Sequence, residues 1–177
     1  MATAKSVEVT NLDTTPRTLL EAGSGHGKMR VFMDTIAAGT GDIDNDDVIM
    51  FAEIHSNSKI VSIVVYNDDL DSGGSPALAT NVGLYNGQTT FTDTDASSTS
   101  YAAAAVLDED CYATAITTLQ AANTSGVELA YEARNINAVA NFVWEDGGLS
   151  SDPGVPLRVA FTISTAAATA AAGDITT

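Results

Sequence analysis

The sequence is short of basic residues, of cysteine and of histidine. Lys and Arg number 7 against 23 Asp and Glu, a formal net charge of −16 over 177 residues. A surface this negative repels phosphate backbones, which excludes broad nucleic-acid binding and disfavours anionic membranes. The single cysteine, Cys111, permits no intrachain disulfide. The fold does not lean on crosslinks, and nothing points to an oxidising compartment. Two histidines, His26 and His55, limit any metal or acid–base site built on imidazole. No apolar run approaches the ~18 residues that span a bilayer. Met1-Ala2-Thr3-Ala4-Lys5 has no apolar stretch behind its lysine, which predicts a soluble chain without a secretory leader, made in a cytoplasm.

What is present suits a folded domain. Apolar residues make up 45% and charged residues 17%, a globular balance. At this length a folded chain buries about 70% of the surface its unfolded form exposes. Ala and Thr supply more than a quarter of the residues.

Most segments read as strands by their period-2 alternation. Residues 7–10 alternate, and Met29, Val31 and Met33 alternate with Arg30, Phe32 and Asp34. Val48, Met50, Ala52 and Ile54 share one face of the next strand, with Ile49, Phe51 and Glu53 on the other. Residues 60–66 are apolar on both faces, as in a central strand. Leu78, Thr80, Val82 and Leu84 share a face. Leu157, Val159, Phe161 and Ile163 alternate with Arg158, Ala160, Thr162 and Ser164, the cleanest half-buried pattern in the chain. Turn signals separate these runs: residues 67–76 with their Gly pair and Pro, the hairpin signal Asn86-Gly87, and Ser151-Asp152-Pro153-Gly154. Residues 92–100 read as a surface loop, and residues 101–120 fit helix or strand. Ile136, Val139, Ala140 and Val143 recur at helical spacing, with Asn135 as a start cap and Gly147 as a stop.

The expected architecture is mainly β: one domain over residues 1–164, an antiparallel β-sandwich or jelly roll of about eight strands with one short helix. Residues 165–177 form an Ala/Thr-rich C-terminal arm with little to bury. They fray, or they order against a neighbouring subunit. Thr165, Ala168, Ala171 and Ile175 are the candidate contact residues in the second case.

No motif makes a catalytic constellation. Ala22-Gly23-Ser24-Gly25-His26-Gly27-Lys28 approaches a phosphate loop, but Met29 stands where Ser or Thr holds Mg²⁺, and a strand-like run follows instead of a helix. Asp42, Asp44 and Asp46 with Glu53 match acidic positions of a calcium loop. Asp47 occupies the place of its turn glycine, and Glu53 falls inside a strand. The bland reading is a solvated acidic turn, and a looser Ca²⁺ site on Asp42, Asp44 and Asp46 is the sharper one. Asp68, Asp69 and Asp71 lie adjacent on a Gly-rich loop, unlike the separated pair of a glycosidase. Asp68 or Asp71 is better placed to bond loop amides. His55 ends a strand, with a surface or half-buried role. Cys111 lies between Asp110 and Tyr112, and acidic neighbours raise a thiol's pKa. Trp144 is a core or interface anchor. No cofactor is expected.

Two stretches resemble a known family. One is Asn67-Asp68-Asp69-Leu70-Asp71-Ser72-Gly73-Gly74-Ser75-Pro76-Ala77-Leu78 followed by Val82-Gly83-Leu84-Tyr85-Asn86-Gly87. The other is Val143-Trp144-Glu145-Asp146-Gly147-Gly148-Leu149-Ser150-Ser151-Asp152-Pro153-Gly154, followed by Phe161-Thr162-Ile163 and the Ala/Thr-rich residues 165–173. Together they resemble small virion structural proteins of tailed bacteriophages, over about half of the chain. The resemblance implies a non-enzymatic head decoration (cement) protein above a tail or head-completion component. Its partners would be the major capsid protein and other copies of itself, a trimer before a dimer. Its place would be the outer surface of the head, after assembly in the host cytoplasm. The acidity agrees with the outside of a DNA-filled shell. The rival from another class is a calcium-dependent carbohydrate- or receptor-binding β-module. That reading wants exposed aromatics in a cleft, whereas the five Tyr are scattered and only one Trp exists.

Overall fold

The computed structural model describes residues 28–87 and 106–177. The phosphate-loop-like residues 22–27, His26, the strand expected over residues 7–10 and the loop at 92–100 lie outside the described residues. The compact unit that carries the sheets is Phe32–Thr177. Eight strands make it up: β1 (Thr35–Ala38), β2 (Val48–His55), β3 (Val64–Asn67), β4 (Ala79–Asn86), β5 (Val106–Ile116), β6 (Asn123–Glu128), β7 (Pro156–Thr165) and β8 (Gly173–Thr176). They form two four-stranded sheets, in the orders β1-β8-β3-β6 and β2-β7-β4-β5, and every pairing is antiparallel. Side chains from both sheets share one apolar core, the defining feature of a β-sandwich. Among the described residues no helix is long and apolar enough to cross a membrane.

The alternation in β7 places Leu157, Val159, Phe161 and Ile163 in the core. Its other face is covered too. Tyr85 from β4 lies over Ala160, and its hydroxyl meets the Thr162 hydroxyl at 2.5 Å. Two-sided burial therefore belongs to β4 and β7, the inner strands of their sheet, where half-burial was expected of β7. In β2 the faces change over along the strand. Ile49 and Phe51 are buried, and a bulge between Met50 and Ala52 then turns Ala52 and Ile54 toward the core. A single extra residue in a ladder inverts the alternation beyond it. Phe51 and Phe161 meet in the core with ring centroids 4.6 Å apart.

Three sequence expectations shift. Residues 28–34 contain no strand, and β1 starts at Thr35 instead. The central strand over 60–66 shortens to β3, with Val61 and Tyr66 exposed while Ile60, Ile63 and Val65 are buried. The helix over 136–147 divides. A 3-10 turn, Ile136–Ala138, is capped by the Asn135 side chain, and a separate short helix α1 covers Val143–Asp146 and stops at Gly147. The caps are as expected, but Ile136 is 82% exposed, so no apolar stripe forms to hold the two turns together.

The C-terminal segment is not an arm reaching away from the domain. β8 sits between β1 and β3, and Ile175 is fully buried. The composition signal failed because small residues are also what a strand needs where another segment packs close to its backbone. Asn86-Gly87 is likewise no two-residue hairpin, since Tyr85 pairs with Val106. Gly87 is needed for close approach: a Cβ there would lie 2.4 Å from the Pro156 carbonyl oxygen.

Gly83 marks the tightest such place. A Cβ on it would lie 2.1 Å from the backbone oxygen of Asp108, where β5 bulges repeatedly against β4. Backbone cannot step aside as a side chain does, so Gly83→Ala is expected to lower unfolding stability by about 2–3 kcal/mol. Urea denaturation of the two chains checks this, and unchanged midpoints would contradict the packing described.

Candidate functional site

Two polar constellations stand out, and neither is the calcium loop. Asp42 accepts the Gly39 N–H at 2.8 Å, and Asp47 accepts that of Asp44 at 2.8 Å. Asp46 adopts a positive φ of 70°, and its N–H donates to the Ile163 carbonyl at 2.8 Å. The Asp42 and Asp47 carboxylates serve the turn's own amides, and the backbone of Asp46 and Asp47 docks it on β7 at Ile163. Among the described residues no three acidic, His or Cys side chains gather as metal ligands. Glu53 faces Arg158 across β2 and β7 at 3.2 Å, away from that turn. His55 is exposed at the end of β2.

The first constellation is built on Asp71, whose residue is buried to 1% exposure. Its carboxylate accepts four backbone N–H groups: Ala77 at 2.6 Å, Leu78 at 2.9 Å, Ala168 at 3.1 Å and Thr169 at 2.8 Å. Neighbouring bonds extend the clamp. Asp68 accepts the Asp174 N–H, Ser72 N–H donates to the Thr169 carbonyl, and Ala171 N–H to that of Leu70. The expectation that Asp68 or Asp71 bonds loop amides holds, and half of the Asp71 amides come from the C-terminal segment. Of the contact candidates, Thr165 and Ala168 are exposed, Ala171 is half-buried, and Ile175 lies inside the core, where it meets no neighbour's surface.

The second constellation is a cleft of about 390 Å³ whose walls include Asp108, Asp110, Arg134, Asn141, Glu145 and Asp146. Three elements build it: β5, the 3-10 turn and α1. Arg134 pairs with Asp146 at 2.7 Å, with both side chains buried. The guanidinium also donates to the Ile60 carbonyl at 2.9 Å and stands over the Tyr112 ring, and the Tyr112 hydroxyl donates to Asp146 at 3.0 Å. The Arg134 Nε–H has no acceptor among the described residues. Burial raises the Asp146 carboxyl, with Arg134 and Tyr112 working against it. Burial likewise raises Asp108, and the adjacent Asp110 carboxylate adds to the rise. Burial, then Asp108 and Asp146, push the Cys111 thiol up, so it stays protonated and is no nucleophile. Trp144 packs partly buried against the core.

Arg134, Tyr112 and Asp146 were not singled out in the sequence. The one signal was a lone Arg among alanines and asparagines in an acidic chain. Nothing local ties it to an Asp twelve residues on.

With this geometry in hand, comparison with known proteins gives two structural likenesses. No family model and no curated protein matches the sequence. A chain of the capsid of Ralstonia phage GP4 is similar with a TM-score of 0.52 at 18% identity, covering 83% of this chain and 81% of that one. A chain of the cyanophage Pam1 capsid asymmetric unit gives 0.45 at 19% identity, covering 81% and 76%. The first of these shows a shared fold.

The Asp71 clamp makes stability depend on pH. Burial acts to raise this carboxyl, but the amides of Thr169, Leu78, Ala77 and Ala168 outweigh it and hold the group down from 3.8 to about 2. A carboxyl depressed on folding stabilises the fold fully above its unfolded value and loses that contribution as pH falls through the folded one. Stability is therefore expected to drop between about pH 4 and pH 2, and Asp71→Asn to flatten this drop while lowering stability at neutral pH. Urea midpoints measured across this range check both parts. Equal stability of the two chains at pH 7 would count against the clamp.

Proposed function

We propose that this chain is a non-enzymatic virion structural protein, a capsid decoration (cement) protein that binds the outer surface of an assembled phage head. The observation that carries the reading is the sandwich it shares with a chain of the Ralstonia phage GP4 capsid over most of both lengths. The phage-like phrases at residues 67–87 and 143–173 point the same way from sequence. The polar constellations agree with it. Asp71 is engaged with backbone amides and Asp146 with Arg134 and Tyr112, which suits holding the fold more than turning over a substrate. Acidic turns facing solvent suit the outside of a DNA-filled shell.

The mechanism on this reading is mechanical. Each copy bridges adjacent major capsid protein subunits and binds the assembled shell in preference to its free parts. Binding one state alone stabilises that state by linkage. Repeated over many equivalent positions, a modest affinity per copy accumulates along the shell.

The test adds purified protein to heads that lack it. Electron microscopy is expected to show new density on the outer surface at saturating protein, and the melting temperature of the shell is expected to rise. Failure to bind heads, with binding to tails or to glycans instead, would replace this reading by one of its rivals.

A further inference from the structure

Two surfaces of this chain are complementary in both charge and apolarity. The first is the strip Lys28-Met29-Arg30-Val31-Phe32-Met33. It holds two of the chain's 7 basic residues within three positions. Its apolar side chains are exposed: Met29 79%, Val31 81%, Phe32 53% and Met33 76%. Runs of exposed large apolar residues mark contact surfaces, and this one is basic on a chain of net charge −16.

The second surface is the cleft of β5 and α1. Its walls carry Asp108, Asp110, Glu145 and Asp146 against the single cation Arg134, which Asp146 already engages. Asp108 and Asp110 stand two residues apart on β5, and each lines the cleft. Two exposed apolar residues, Ile136 in the neighbouring 3-10 turn and Val139 just after it, lie beside wall residues Asn135 and Ala138. An incoming occupant is therefore asked for cationic groups and apolar side chains together. A bare metal ion meets fewer of these demands, and among the described residues no three acidic, His or Cys side chains are arranged to hold one.

We propose that residues 28–33 of one copy dock into the acidic cleft between β5 and α1 of a second copy of this chain. Lys28 and Arg30 meet Asp108, Asp110 and Glu145, while the strip's apolar side chains cover Ile136 and Val139. Donor and acceptor patches differ, so copies join either by reciprocal exchange in a two-fold pair or head to tail in a ring. The contact joins copies in solution and needs no shell, so its failure leaves the head-binding reading standing.

The experiment measures the association of the full chain by sedimentation velocity at low and high salt. The native chain is expected to associate, and more weakly as NaCl rises. The double variant Lys28→Glu with Arg30→Glu, and separately Asp108→Asn with Asp110→Asn, are each expected to weaken association at least tenfold. A control, Asp44→Asn in the distant acidic turn, is expected to change nothing. Circular dichroism of every variant verifies the fold. If a cleft variant unfolds, Glu145→Gln takes its place. A native chain that stays monomeric at its highest soluble concentration overturns the proposal. So does a folded strip or cleft variant that associates as the native chain does.

Discussion

The Asp71 carboxylate is the contact on which the rest of the sandwich depends. It gathers amides from two places far apart in the chain, residues 77–78 and residues 168–169. Each of those amides lies where neither sheet ladder uses it, and the carboxylate supplies the acceptor it would otherwise lack within the fold. Charge makes the acceptor stronger than a neutral one. By fixing residues 168–169 the carboxylate sets where the chain leaves β7, and so where β8 enters the other sheet. β8 then joins β1 to β3, and without it that sheet loses the strand between them. One side chain thus links the two layers of the fold.

The second sheet solves a different problem. β4 and β7 are buried on both faces, yet β4 carries Asn81 and Thr80 and β7 carries Thr162. The cover is provided locally, by Tyr85 over Ala160 and by the close passage of β5 at Gly83. The bulges of β5 follow from that closeness. Ala115 is forced to a positive φ of 48°, and its N–H is taken by the Asn81 side chain at 2.8 Å. The same irregular strand turns Asp108 and Asp110 into the cleft. The packing demand at Gly83 and the acidity of the cleft are therefore two results of one distorted strand.

The charge of the chain is distributed with a purpose that composition alone hides. Carboxylates at Asp42, Asp47, Asp68 and Asp71 stabilise turns by accepting backbone amides. Those at Asp108, Asp110 and Glu145 line a cleft where like charges crowd. Turn carboxylates are satisfied within the fold. The cleft carboxylates also accept bonds, Glu145 from the Phe142 N–H and Asp110 from the Thr114 hydroxyl, but they stand close together with Arg134 as the one cation in the wall.

Much of the fold was legible in the sequence because strand alternation, turn chemistry and helix caps are local properties. Residues 48–55, 79–86 and 156–165 show their β character in a few neighbours each, and Asn135 and Gly147 announce the turn and helix they bound. The acidic turns were also readable from adjacent residues, whereas Cys111 keeps its proton chiefly through burial, to which its neighbour Asp110 adds least. What the sequence could not carry was partnership. The bulge after Met50, the cover on β7, the insertion of β8 and the meeting of Arg134 with Asp146 and Tyr112 all depend on segments that are remote in the chain. Small residues at 165–177 look idle until Asp71, about a hundred positions away, takes their amides. Local pattern determined that this chain forms strands and acidic turns. Tertiary structure alone decided which strands pair, which carboxylates hold turns and which line the cleft, because those outcomes rest on hydrogen bonds and burial between residues that only folding brings together.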